Sequence, residues 1–220
     1  WNSYTSAMIG DHGASVIADA WVKGLRSFDG NAALDALVRN ATETPPYQEY
    51  VDGKGRRDLK EYLALGYIPV EQEVREAFHR REQVSRTLEY AYDDWCIARL
   101  AEALGEDDLA DEYDRRSQAW RHLLDPDSGF MRARTNQRWV TPFDPARVDN
   151  HYTEANSWQY SFFVPHDIAG LIEALGGDDD IARIRRRADI AKVYLLKDGE
   201  QLKRVILPVH GYGLWSTMYG

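Results

Sequence analysis

"VSRTLEYAYDDWCIARLAEALG", residues 84–105, decides the fold class. Val84, Leu88, Ala91, Tyr92, Trp95, Ile97, Leu100, Ala101 and Leu104 recur at the three- and four-residue steps of one broad helical face, and Gly105 stands where a helix stops. The stretch predicts a helix over 82–104. Beyond it Leu109, Tyr113, Trp120 and Leu124 keep the same period, so 107–123 reads as a partner helix. The short link through Gly105 makes the two an antiparallel hairpin. Within the first helix Asp93 and Asp94 cannot share one face, so at least one of them is expected at solvent or against an arginine.

Toward the N-terminus, Val16, Ile17, Ala20, Trp21, Leu25 and Phe28 predict one helix, and Leu34, Leu37, Val38 and Ala41 another. Residues 42–57, with Pro45-Pro46 and Gly53-Lys54-Gly55, read as a loop. Leu59, Tyr62 and Leu63 give a short helix closed by Gly66. Toward the C-terminus, Pro126, Gly129, Pro142 and Pro145 break the helical rhythm over 125–150, a long loop of the kind that more often carries function than not. Ile168, Leu171, Ile172 and Leu175 resume it, capped by Gly176-Gly177. Near residue 188 the character changes: Val193–Leu196 and Val205–Leu207 flank Asp198-Gly199 as a β-hairpin would. The fold class is mainly α, built of antiparallel helix pairs, with a small C-terminal β-hairpin element.

The chain of 220 residues is 44% hydrophobic and 29% charged, and no apolar run approaches the length of a membrane-spanning helix. A net charge of −9 argues against a nucleic-acid partner. Cys96 is the only cysteine, so no internal disulfide forms and the redox compartment stays open. The opening Trp1-Asn2-Ser3-Tyr4 has neither an initiator Met nor the pattern of a signal peptide, and reads as a piece of a longer polypeptide. There is no zinc spacing, phosphate-binding glycine loop, Gly-x-Ser-x-Gly elbow or calcium-loop pattern. His79 and His122 lie among charges and read as surface residues.

Residues 151–167, "HYTEANSWQYSFFVPHD", place one carboxylate, Glu154, among aromatic and polar groups. In one reading Glu154 opens a helix capped by Thr153, because a carboxylate suits a helix N-terminus. In the other, burial beside Trp158 and Tyr160 raises its pKa and keeps it protonated as a general acid, with aromatic and amide neighbours for sugar. Spacing alone leaves both open. Asp11-His12 and His166-Asp167 have the same bland reading as helix caps.

Five stretches carry a resemblance: "MIGDHGASVIADAWVKG" (8–24), "LKEYLALGYIPVE" (59–71), the 84–105 stretch, "RSQAWRHLLDPDSGFMRAR" (116–134) and "YTEANSWQYSFFVPHDIAGLIEALGG" (152–177). In this order and spacing, from Trp1 to about Arg186, the chain resembles the calcium-dependent α-mannosidases of glycoside hydrolase family 92. The resemblance implies part of an (α/α)6 barrel and exo-acting cleavage of α-mannosides with inversion. It also implies a substrate that is an α-mannoside or an N-glycan-derived oligosaccharide, and a periplasmic or secreted setting. The glutamate of the family's Tyr-Thr-Glu motif is the general acid, which falls on Glu154. Asp11, His12, Trp158 and Gln159 are the residues expected to line the sugar pocket. Calcium is implied as cofactor, with its ligands mostly outside this chain, so no metal ligand is assigned here. The family's Trp-Asp, Gly-Asn-Glu-Pro and paired-aspartate motifs do not occur, so the chain is expected to hold an acid without its base. It is therefore expected to be inactive as it stands; an alternative reading is a non-catalytic helical carbohydrate-binding remnant. Ala155 stands where glycine is usual, and His151 where an acid is common.

The tail, "KVYLLKDGEQLKRVILPVHGYGLWSTMYG" (192–220), resembles the FMN-carrying periplasmic subunit of the sodium-translocating NADH:quinone reductase. That family's flavin-bearing Ser-Gly-Ala-Thr motif is absent, so Thr217 is given no flavin. The division expected is 1–188 as partial mannosidase catalytic domain and 189–220 as flavoprotein-like fragment, joined near 186–190. The rival reading takes the tail as defining and the chain as a redox-complex fragment.

Overall fold

The computed structural model describes residues 8–71 and 80–177. Its axis is the helix expected from residues 84–105, α5 (Gln83–Leu104), closed by Gly105 at φ 82°. The apolar stripe is there, but the burial goes further than a stripe. Ser85, Arg86, Thr87, Glu89, Asp93 and Asp94 are buried along with Leu88, Ile97 and Leu100, so α5 is enclosed on nearly every side.

Three groups of elements enclose it. Around its C-terminal half lie α1 (Gly13–Val22), α2 (Gly30–Thr42) and α6 (Asp107–Ser117). There Ala14, Ala18, Leu34, Leu37, Ala41, Cys96, Ile97, Leu100, Ala101 and Tyr113 form one apolar cluster. The connection through Gly105 makes α5 and α6 the expected helix hairpin. At its middle, Leu59 and Tyr62 of α4 (Leu59–Leu65) meet Tyr90, Ala91 and Ala119. At its N-terminal half Val84 and Leu88 enter a third cluster with Trp120, Leu123, Met131, Tyr152, Tyr160, Phe163, Val164 and Leu171. The last two helices, α7 (Ser157–Tyr160) and α8 (Ile168–Ala174), lie in this third region.

Some expected boundaries move. The first helix stops at Val22, not Phe28, because Gly24 turns left-handed at φ 90°. Leu25 is left exposed, as is Val16, which the periodicity had placed inward. The partner helix ends at Ser117 and tightens into a 3-10 turn, Gln118–His122, which seats the fully buried Trp120. The loop at 42–57 contains a five-residue helix, α3 (Tyr47–Val51), none of whose residues is buried.

The long loop after residue 123 is not structureless. Strands β1 (Leu124–Asp125) and β2 (Phe130–Met131) form a two-stranded antiparallel sheet, with Leu124 opposite Met131. The Asp125 carboxylate organises its turn, accepting from the Asp127 N–H at 3.2 Å and the Ser128 hydroxyl at 2.7 Å, and pairing with Arg132 at 2.9 Å. The Met131 backbone then ties the hairpin to the next segment: its carbonyl accepts from the Tyr152 hydroxyl (2.8 Å) and Ser157 (2.6 Å), and its N–H donates to Ser161 (2.8 Å). The expected hairpin at 193–207 lies outside the described residues.

Because α5 is enclosed, its apolar positions should dominate stability. Leu88→Ala is expected to lower the unfolding free energy by about 2–5 kcal/mol, whereas exposed Val16→Ala changes it by less than about 0.5 kcal/mol. Urea denaturation of both variants checks this. Equal losses would contradict the enclosed-helix account.

Candidate active site

The site grows from the polar residues of α5. Ser85, Glu89 and Asp93 recur every four residues and line one face of the helix. Against that face come the start of α1 and the segment 152–160.

Asp11 and His12 do not cap α1 with their side chains, as the bland reading expected. His12 stands at the cap position without a side-chain cap bond, and both residues turn instead to α5. The His12 ring is bracketed by two carboxylates: Nδ1 lies 2.8 Å from Asp93 Oδ1 and Nε2 lies 2.9 Å from Glu89 Oε2. Burial alone would lower its pKa, but hydrogen bonds to Asp93 and Glu89 outweigh it and raise it to about 10. His12 is thus an imidazolium at neutral pH. The Asp11 N–H donates to Asp93 Oδ2 at 2.8 Å, and its carboxylate accepts from Asn40 (2.6 Å) and Arg56 (3.1 Å). Burial would raise the Asp11 carboxyl, but Arg56 and these hydrogen bonds hold it well below the ordinary range.

Arg56 continues the network to Asp94 at 2.6 Å, and Asp94 also takes Arg116 at 3.0 Å and the Tyr62 hydroxyl at 2.9 Å. Of the adjacent acids, then, Asp94 is the one against arginines, and neither is solvated. Among the described residues His12, Arg56 and Arg116 thus meet the acids Asp11, Glu89, Asp93 and Asp94. Burial and the neighbouring Asp11 carboxylate push the Asp93 carboxyl well above the usual carboxylate range against the pull of His12.

Glu89 carries the network to the Tyr-Thr-Glu segment, because the Tyr160 hydroxyl donates to Glu89 Oε1 at 3.4 Å. Two further contacts fix that segment on α5: the Thr153 N–H donates to Ser85 Oγ (2.8 Å), and the Val84 N–H to the His151 carbonyl (3.2 Å). Glu154 follows as a left-handed residue, φ 51°, with its side chain exposed. It is neither buried beside Trp158 and Tyr160 nor the opening of a Thr153-capped helix. The cap of α7 is Asn156, whose side chain accepts from the Gln159 N–H while Gln159 Oε1 accepts from the Asn156 N–H. Gln159 therefore spends its carbonyl on the cap. Trp158 sets its ring edge-on to Phe130, centroids 4.6 Å apart. His166-Asp167 keeps the cap reading, with Asp167 accepting from the Gly170 N–H at 2.9 Å.

The structure thus brings Asp11 and His12 together on Asp93, and sets Glu154 in the turn just before α7, which carries Trp158 and Gln159. Glu89 and Tyr160 link the two sets. Glu89, Arg56 and Ser85 escaped the sequence reading; for Ser85 and Glu89 the signal was their four-residue repeat with Asp93 on α5, and Arg56, outside the helices, offered none. Beside Tyr152 a hollow of about 210 Å³ is lined by Arg132, Phe143, Asp144, Arg147, Asp149 and His151. That is smaller than the ~300–1,000 Å³ of a complete ligand pocket. Among the described residues no three His, Cys, Asp or Glu side chains converge to hold a metal ion, and the clustered acids are taken by Arg56, Arg116 and His12. These residues do not fit a calcium cage.

The His12 pair has a signed pH signature. A histidine raised from 6.5 to about 10 contributes stability that is full below pH 6.5 and lost as pH rises through 10. Urea midpoints of the native chain and His12→Gln should therefore differ most below pH 6.5 and converge above pH 10. A constant difference across that range would contradict a charged His12.

Comparison with known proteins matches the glycosyl hydrolase family 92 catalytic domain to residues 1–185. A secreted glycosidase of Arthroderma benhamiae, itself uncharacterized, is 31% identical over 194 residues, 76% of this chain and 24% of that protein. The structure of a family 92 inverting mannosidase from Bacteroides thetaiotaomicron superposes with a TM-score of 0.76 at 32% identity, covering 90% of this chain and 28% of that one. The C-terminal region matches a different protein, a subunit of the Na(+)-translocating NADH-quinone reductase of Vibrio alginolyticus. That match is 44% identical over 79 residues, 34% of this chain and 31% of the reductase polypeptide. The chain thus spans about a quarter of the glycosidase relatives' length. Through residues 1–185 it belongs to glycoside hydrolase family 92.

Proposed function

We propose that the chain is part of an exo-acting α-mannosidase that removes terminal mannose with inversion, and that Glu154 is its general acid. One observation carries this reading. Glu154 is a non-glycine residue at φ 51°, exposed, between a neighbour pinned to Ser85 and a capping box. A left-handed backbone at such a residue costs of order 1–3 kcal/mol and persists where its surroundings over-determine it, typically at functional sites. The constraint holds one carboxyl group on a rigid base within reach of an incoming glycosidic oxygen, as a proton donor to that oxygen must be. Asp11, His12, Trp158 and Gln159 are proposed to contact the sugar through the atoms the network leaves over, among them Gln159 Nε2.

The helices α1 to α8 are proposed to be part of an (α/α)6 barrel, and the substrate an α-mannoside or an N-glycan-derived oligosaccharide. Any calcium is proposed to be held by ligands mostly outside this chain, and the setting to be secreted or periplasmic. Residues 1–188 form the mannosidase part and 189–220 the flavoprotein-like part. A chain cut back to 1–188 should then keep the urea midpoint of the whole. A large loss on cutting would show that the two parts fold as one.

Inversion needs a second carboxylate, which takes a proton from water on the face opposite the acid. By the resemblance the aspartates that supply it lie beyond the matched residues, and the adjacent Asp93 and Asp94 are buried in the α5 network. Losing a general base removes roughly 10²- to 10⁴-fold in rate. The 220-residue chain is therefore expected to show no measurable hydrolysis of aryl α-mannosides, with or without calcium. Joining residues 1–185 to the remainder of a family 92 enzyme should restore hydrolysis. Turnover by the chain alone would overturn the incomplete-site reading, and a joined, folded enzyme without activity would overturn the mannosidase reading.

A further inference from the structure

Three arginines meet near the start of α4, and two of them have their carboxylates. Arg56 is shared by Asp11 and Asp94, and Arg86 lies 2.9 Å from Asp58 and 3.9 Å from Glu82. Arg57 is different. It is only 6% exposed, yet neither Nη1 nor Nη2 makes a well-formed hydrogen bond, and its polar neighbours are the Tyr50 phenol and, less directly, the Asp58 carboxylate already paired with Arg86. No carboxylate among the described residues pairs with it. Its backbone is fixed, the N–H donating to the Tyr90 hydroxyl at 2.8 Å and the carbonyl accepting from it at 3.2 Å. Its guanidinium packs against the Tyr50 ring, Cζ 3.9 Å from the centroid.

A buried guanidinium with two unpaired terminal nitrogens is costly, and such a group in a native protein calls for a partner. Two adjacent terminal N–H groups match the geometry of a carboxylate, phosphate or sulfate, which they bind bidentately. The cover is slight. Tyr50 belongs to α3, a five-residue helix with no buried residue, so lifting it sacrifices few apolar contacts. We propose that Arg57 is the receptor of an oxyanion, phosphate-like in chemistry, which enters when α3 carries Tyr50 aside. A mannoside is neutral, so this site goes beyond the proposed reaction and does not depend on it. The chain's net charge of −9 disfavours indiscriminate anion binding, so an effect of phosphate reports a local site.

The test is thermal unfolding of the whole chain in phosphate against chloride at matched ionic strength. Phosphate should raise the midpoint saturably, as a ligand of the folded state does. Arg57→Gln should weaken the apparent affinity by about 10-fold or more. It should not lower the midpoint in chloride, because it removes an unpaired buried charge. An unmoved native chain, or an equal rise in Arg57→Gln, would overturn the proposal. Should that variant fail to fold, calorimetric titration of the unaltered chain decides, a saturable phosphate heat supporting the site and its absence refuting it. Mannose 6-phosphate binding more tightly than inorganic phosphate would assign the oxyanion to a sugar, and equal binding to a free anion. Mannose acting as well as mannose 6-phosphate would also overturn it.

Discussion

The enclosure of α5 makes polar pairing the constraint on which the rest of the structure depends. A helix buried on nearly every side and carrying Arg86, Glu89, Asp93 and Asp94 is stable only if each charge meets a partner from another element. Those partners dictate the neighbours' placement. His12 draws the start of α1 to Glu89 and Asp93, Arg56 draws the chain before α4 to Asp94, and Arg116 fixes α6 to the same carboxylate. Replacing one member would leave a buried charge uncompensated, a loss of roughly 3–5 kcal/mol.

The same network reaches the candidate acid. Glu89 touches His12 on one side and Tyr160 on the other, so the start of α1 and the Tyr-Thr-Glu segment are held by one carboxylate. With Ser85 gripping the Thr153 N–H, it leaves Glu154 on a rigid turn while Glu154 itself stays out of the core. The rigidity of the Glu154 turn and the accessibility of its carboxyl group come from different residues.

How much of this was legible in the sequence follows from range. Periodicity is local, so it found α2 and α4, which each bury one face, and α5, whose apolar residues still form a stripe, with their stops at Gly66 and Gly105. It failed at Leu25 and Phe28, where Gly24 ended the helix before the apolar pattern did. The two-residue strands at Leu124 and Phe130 are too short to show a period, and their anchor is the Met131 backbone, which carries no side-chain signal. Glu154 was singled out by its aromatic company, but the structure takes neither form the spacing left open: its side chain is exposed, and Asn156 rather than Thr153 starts α7. The Glu89–His12 pair spans the chain from α1 to α5 and could not be read from spacing.

The account's central claim is that the carboxyl group of Glu154 donates the proton to the departing oxygen. The most direct measurement uses residues 1–185 joined to the rest of a family 92 enzyme, comparing Glu154→Gln on two substrates. A disaccharide needs protonation of its leaving oxygen, whereas an aryl mannoside with a good leaving group hardly does. The account predicts a loss of roughly 10²- to 10⁴-fold in kcat/KM on the disaccharide and a far smaller loss on the aryl mannoside. Equal losses on both would contradict it.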